Sequence, residues 1–141
     1  MAIALKFYSC VGSNHTTLDA IRELQEQTPF GVNDVERIKV HGSQVIMDHV
    51  RWKYQPQGLT SAQLNLPFCV ATYLIEGDCF VEQFHDSIVA DPARMALAEK
   101  VEVYHDAQIT GRGACPPPFA SACSARCSAW DGSAAERKPS G

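Results

Sequence analysis

The sequence predicts an α+β fold, a small and mainly antiparallel sheet covered by helices, and three observations carry that prediction. Asp34 to His41 and Lys100 to His105 alternate apolar and polar residues, as half-buried strands do. Leu18, Ile21 and Leu24 recur at the spacing of one helix face. From Leu64 to Ile75 the chain is almost continuously apolar, the pattern of a helix buried on most sides. Strands at 35–41 and 101–105 are therefore expected in one sheet, under helices near 16–27 and 61–76.

Taken in order, the first helix is expected to begin at Thr16, which can cap it, with Asp19 in the capping-box position, and to fade near Thr28 and Pro29. Val35, Ile38 and Val40, set among Glu36, Arg37 and Lys39, form the first strand. Val45, Ile46, His49 and Val50 have a helical spacing, and Pro56 and Gly58 punctuate the loop that follows. Thr60 and Gln63 offer a second capping box at the head of the apolar run. Pro67 removes a helical hydrogen bond and crowds the preceding turn, so it should bend that helix or confine its regular part to the residues beyond. Gly77 suits a helix stop. Phe80 to Phe84 is a short amphipathic piece, and Asp91 caps a last helix with Pro92 at its first position.

Beyond Gly113 the character changes. Residues 114–141 are mainly Ala, Ser, Cys, Pro, Gly and Arg, with Pro116, Pro117 and Pro118 in succession and no leucine, isoleucine or valine. Such a segment cannot supply a core, so a domain over 1–113 is expected to precede a disordered or irregular tail over 114–141.

Composition narrows the function classes. The net charge of −4 is scattered and leaves no basic stripe, which excludes a nucleic-acid partner. No run approaches the roughly 18 apolar residues of a membrane span, and Met1 to Leu5 before Lys6 lacks the order of a secretion signal. A soluble cytoplasmic protein without a membrane partner is expected. The six cysteines then read as reduced thiols. Cys115, Cys123 and Cys127 lack a Cys-x-x-Cys pair and no histidine follows them, so no metal is expected there.

The chemistry concentrates between Lys6 and Asp19, where a cation, a phenol, a thiol and an imidazole fall in one short run. His15 is expected at a helix start, where exposed N–H groups and the positive dipole end favour an anion and the neutral imidazole. Asp19 reads most simply as the capping acid, and Tyr8 and Cys10 as packing residues. Cys10 precedes the helix rather than sitting in its first turn, so a thiolate nucleophile is not expected.

Lys6, Tyr8, Cys10, Gly12, His15, Asp19 and Ala20, together with Gly58-Leu-Thr-Ser-Ala-Gln-Leu-Asn-Leu-Pro-Phe-Cys-Val-Ala and Asp91-Pro-Ala-Arg, carry a resemblance. Over roughly residues 5–109 the chain resembles the C-terminal part of the MmgE/PrpD family, which includes 2-methylcitrate dehydratase and cis-aconitate decarboxylase. The resemblance implies a lid domain of α+β type, present here in incomplete form, and a large helical domain elsewhere that supplies further acids, histidines and a lysine. It implies a lyase that needs no cofactor or metal and acts on a small polycarboxylate, as a 2-methylcitrate dehydratase-like hydro-lyase does. Lys6 and His15 would then be catalytic, and Lys6, Tyr8 and Ser13 would bind substrate. A lysine suits a substrate carboxylate and a histidine suits proton transfer, because removing a proton beside a carboxylate builds negative charge. The implied partners are a small-molecule carboxylate and either a second copy in a homodimer or a helical partner domain.

Two departures stand against that pattern. Phe68 replaces a tyrosine frequent in the family, and the tail lacks the expected continuation, which a shift of reading frame near codon 109 would explain; translating the other two frames checks it. The alternative function is a non-catalytic polycarboxylate-binding or docking module that needs a separate helical partner. A non-functional remnant is the third reading.

Overall fold

The computed structural model describes residues 5–108 and, beyond them, the backbone of 125–127 and 135–137. Helix α1 spans Gly12–Gln27 and presents Leu18, Ile21 and Leu24 to the core. It begins a full turn upstream of Thr16, at the N-cap Val11, which makes no side-chain cap. Thr16 and Asp19 thus lie inside the helix, and the capping box expected there does not form. Asp19 is engaged otherwise: the Tyr8 hydroxyl donates to its Oδ1 at 2.7 Å, and Arg22 lies 3.4 Å from the same oxygen. The preceding segment is fixed by backbone bonds from Ser9 N–H to the Cys79 carbonyl (2.9 Å) and from Val11 N–H to the Gln63 carbonyl (3.1 Å), which lets the helix wind back to Gly12.

Strand β1 covers Val35–Gly42, helix α2 Gln44–His49, helix α3 Leu59–Leu64, helix α4 Leu66–Glu76, helix α5 Pro92–Ala98 and strand β2 Val101–His105. The helix expected near 61–76 is two helices divided at Asn65. Asn65 Oδ1 accepts from Phe68 N–H at 2.9 Å and caps α4, while Pro67 sits in the first turn, where its missing N–H costs nothing. Pro67 therefore confines the regular helix to the residues beyond the break. The Thr60–Gln63 capping box is also absent, since α3 is entered from Gly58 without a side-chain cap. Gly77 closes α4 in the left-handed region at φ 78°, and Asp91 caps α5 by accepting from Ala93 N–H at 3.3 Å.

The mainly antiparallel sheet expected from the sequence is contradicted by its longest ladder. β1 and β2 pair in parallel, from Ile38 opposite Val101 to Gly42 opposite His105. Alternation marks a strand but carries no direction, and the connection between these two holds helices α2 to α5, long enough to return the chain in the same sense. Short strands β3 (Ala125–Cys127) and β4 (Ala135–Arg137) each add a three-residue antiparallel ladder to β1, so the sheet is mixed. These strands are the described part of the tail; the rest of the expectation of an irregular tail falls outside the described residues.

The core lies between this sheet and the helices. Val35, Ile38, Val40 and Val101 meet Leu18 and Ile21 of α1, Ile46 of α2, and Leu66, Phe68, Val70 and Leu74 of α4. Gly42 lets α2 approach the end of β1, since a Cβ there would stand 3.0 Å from Ile46 Cγ2 and 3.1 Å from its Cβ. Ile46 is fully buried and cannot swing clear. Gly42→Ala should therefore lower the unfolding free energy by about 1–2 kcal/mol. A urea midpoint matching that of the parent would refute this close-packing role.

Candidate active site

The loop before α1 carries Lys6 and is tied down by the Ser9 and Val11 backbone bonds already described. Lys6 is exposed, and its Nζ donates to the Cys10 carbonyl at 3.4 Å. It opens on a groove of about 340 Å³ lined also by Ser9, Cys10, Thr60, Gln63 and Leu64. The start of α1 lies beside it, and no side chain caps that helix end. Asn14 N–H in the first turn donates to the Val11 carbonyl at 3.0 Å, so it is the positive dipole end more than free donors that this helix start offers an anion. A larger groove of about 420 Å³ runs past Arg51, Lys53, Met95 and Glu99. It holds none of the residues predicted for the site, and Lys53 there is already paired with Glu99 at 3.8 Å.

Tyr8 and His15 are brought together, ring edge to face, with centroids 5.2 Å apart, and Tyr8 also meets Tyr73 edge-on at 6.2 Å. Burial first, and then the hydrogen bond to the Asp19 carboxylate, raise the Tyr8 pKa, which keeps the phenol a neutral donor. Its hydroxyl is held by Asp19. Ser13 is buried in the first turn of α1 and, like Tyr8 and His15, does not line the groove of Lys6. Phe68 is fully buried and stacks on Tyr54 at 4.2 Å, so it serves as a core ring.

His15 departs from expectation. The helix start was expected to favour its neutral form, yet its pKa is raised, chiefly by its hydrogen bond with the Cys10 thiol, against the opposing effect of burial and the nearby Lys6 charge. Its Nε2 is buried without a hydrogen-bond partner among the described residues. Cys10 in turn is pulled down by the neighbouring Cys69 and Cys79 thiols, more strongly than burial pushes it up, with His15 adding to the effect. Cys69 is raised by burial first and then by Cys10, and Cys79 is raised first by its hydrogen bond with Cys10.

A pH dependence follows. A histidine whose folded pKa lies above its unfolded value of about 6.5 stabilises the fold fully below that value, and the contribution disappears as pH rises through the folded pKa. The parent should lose stability over that interval more steeply than His15→Gln, as read from thermal midpoints across a pH series. Parallel curves would remove the Cys10–His15 interaction from the account.

Sequence reasoning missed the meeting of Cys10, Cys69 and Cys79, whose Sγ atoms all lie within 4.8 Å of one another. They are far apart in the chain, in no motif spacing, so no local signal could have joined them. Of the tail cysteines that it did weigh, Cys115 and Cys123 lie outside the described residues, and Cys127 is described only in its backbone.

Among known proteins, residues 8–137 match the family model of the MmgE/PrpD C-terminal domain, a span that continues past residue 109 and takes in β3 and β4. The chain is similar to the cis-aconitate decarboxylase-like protein oryM of Aspergillus oryzae, 27% identical over 118 residues that cover 79% of this chain and 24% of that protein. It is also similar to cis-aconitate decarboxylase of Aspergillus terreus, 27% identical over 122 residues, covering 80% of this chain and 25% of the relative. The chain spans about a quarter of the length of these relatives. No described helix is long and apolar enough to cross a membrane.

Proposed function

The chain belongs to the MmgE/PrpD family, and from that premise we propose that it forms one wall of a lyase site for small polycarboxylates, with Lys6 and His15 as its catalytic residues. The observation that carries this reading is the grouping at the start of α1: an exposed lysine on an open groove, an uncapped helix end, and a histidine one turn inside with raised pKa. In this reading Lys6 holds a substrate carboxylate beside the dipole end of α1, with Ser13, buried and off the groove in this structure, as a second binding residue. His15 would move the proton.

The names of the relatives favour decarboxylation of a tricarboxylate such as cis-aconitate within this class, and dehydration of 2-methylcitrate is the other member. Loss of carbon dioxide leaves an electron pair on carbon that must be protonated, and elimination of water requires a proton to leave carbon. Both build negative charge beside carboxylates, where fixed cations stabilise the transition state more than the ground state. In this reading the chemistry needs no cofactor, the setting is cytoplasmic, and the opposite wall comes from a helical partner domain, with a homodimer as a further level of assembly.

The test is incubation of the purified chain with cis-aconitate and with 2-methylcitrate, following carbon dioxide release and change in unsaturation. Little or no turnover is expected from the chain alone, and activity should appear when the remaining length typical of its relatives is joined to it. Robust turnover by the chain alone would overturn the divided site, and inactivity of the joined protein on both acids would overturn the lyase assignment.

A second reading draws on Leu5 and Phe7, which flank Lys6 and are 77% and 74% exposed. Large apolar side chains in that position suit a surface that docks on another domain and binds a carboxylate without turning it over. Carboxylate binding abolished by Lys6→Ala, in a joined protein that remains inactive, would favour it.

A further inference from the structure

Three thiols from separate segments meet in the core: Cys10 from the loop before α1, Cys69 from α4, and Cys79 from the stretch after Gly77. All three are buried and free, with Cys69 and Cys79 wholly inaccessible, and their sulfurs lie within 4.8 Å of one another. The proposed lyase chemistry gives none of them a step of its own, although Cys10 neighbours His15. An ion held by three thiolates at about 2.3 Å sets its sulfurs about 4 Å apart, so sulfurs separated by as much as 4.8 Å would each move in by up to about 0.5 Å. An ion can therefore enter this cluster with small side-chain movements. A disulfide would instead have to draw one pair to about 2.05 Å and strand the third thiol.

Thiolate donors select soft ions over magnesium or calcium. His15 approaches only Cys10, and its ring nitrogens are not part of the triangle. The cluster as built is thus three-coordinate, which suits monovalent copper better than structural zinc, whose sites are almost always four-coordinate.

We propose that Cys10, Cys69 and Cys79 form a three-thiolate site for a soft metal ion, monovalent copper above all. Each sulfur gives up its proton on coordination and binds as thiolate, so no electron is transferred and the protons pass to solvent. Cys69 would surrender its bonds to the Ala62 and Gln63 carbonyls, now 3.4 and 3.6 Å long, while Asn14 Nδ2, 3.5 Å from the same sulfur, could continue to donate to it. The ion would join α4 to the segment bearing Lys6, because Ser9 N–H already bonds to the Cys79 carbonyl. Metal loading would then stiffen the loop on which the proposed site depends.

The experiment uses the full chain carrying Cys115→Ser, Cys123→Ser and Cys127→Ser, so that only the buried trio can answer. Reduced protein is titrated anaerobically with monovalent copper against bicinchoninate, and separately with cobalt as a probe for zinc-like binding. One equivalent of copper is expected, with three sulfur neighbours by X-ray absorption and at least tenfold weaker binding in Cys10→Ser. Cobalt bound at one equivalent with sulfur-to-metal charge transfer would support the site but assign it to a four-coordinate ion. Less than one equivalent of both metals, or a first shell without three sulfurs, would overturn the proposal and leave the trio as core packing; the absorption measurement needs no further cysteine variant to fold.

Discussion

Asn65→Ala should lower the unfolding free energy by about 2 kcal/mol, the largest stability loss expected from any single polar truncation at the α3–α4 break. Asn65 is fully buried and serves two backbone groups at once. Its Oδ1 accepts from Phe68 N–H at 2.9 Å, and its Nδ2 donates to the Trp52 carbonyl at 2.6 Å. Alanine removes the cap, worth about 1 kcal/mol, and leaves the half-buried Trp52 carbonyl without this donor, worth about 1 kcal/mol more. Leu66 N–H also bonds to the Val50 carbonyl at 2.8 Å, so this junction fixes the loop after α2 against the head of α4. Asn65→Asp separates the two roles: it keeps the cap oxygen and loses the donor to Trp52, and its loss should come mainly from the second. Urea unfolding of the parent and both variants measures this, and an alanine variant within about 0.5 kcal/mol of the parent would show that water replaces both bonds.

What could be read in advance was what neighbouring residues decide among themselves. Asp91 and Pro92 begin α5 as expected, and Gly77 ends α4, because a cap and a left-handed stop are settled within a turn. Thr16–Asp19 and Thr60–Gln63 have the same kind of local signature and failed, since the signature cannot register a competitor from elsewhere. For Asp19 that competitor is Tyr8, and at Asn65 the contact that divides the apolar run comes from Trp52. The direction of β2 failed for a related reason, because alternation specifies which face is buried and leaves the sense of the strand to the connection. Within the candidate site, Lys6 and His15 were visible as a run of reactive residue types. The charge preference of His15 was not, as it depends on Cys10 and, through it, on Cys69 and Cys79, which only the fold assembles.

In a protein that joins this domain to the remaining length of its relatives, His15→Gln should lower kcat on the preferred polycarboxylate by about 10²–10⁴-fold, the usual contribution of a positioned acid or base. Lys6→Met should act differently. A lysine that holds a carboxylate in both ground and transition state affects KM, and the part of its effect that grows with developing charge appears in kcat. A charge-assisted hydrogen bond is worth about 1.5–3 kcal/mol, so a loss of roughly 10–150-fold in kcat/KM is expected, with much of it in KM. The raised pKa of His15 sets the sign of the pH profile: if the protonated ring delivers the proton, kcat must fall as pH rises through that pKa, and this limb must vanish in His15→Gln. A profile whose limb persists in the glutamine variant would assign the proton to a residue of the other wall and leave His15 as the packing partner of Tyr8. Equal losses in kcat alone for both variants would likewise refute the separation of roles, because a group that only clamps substrate cannot leave KM untouched.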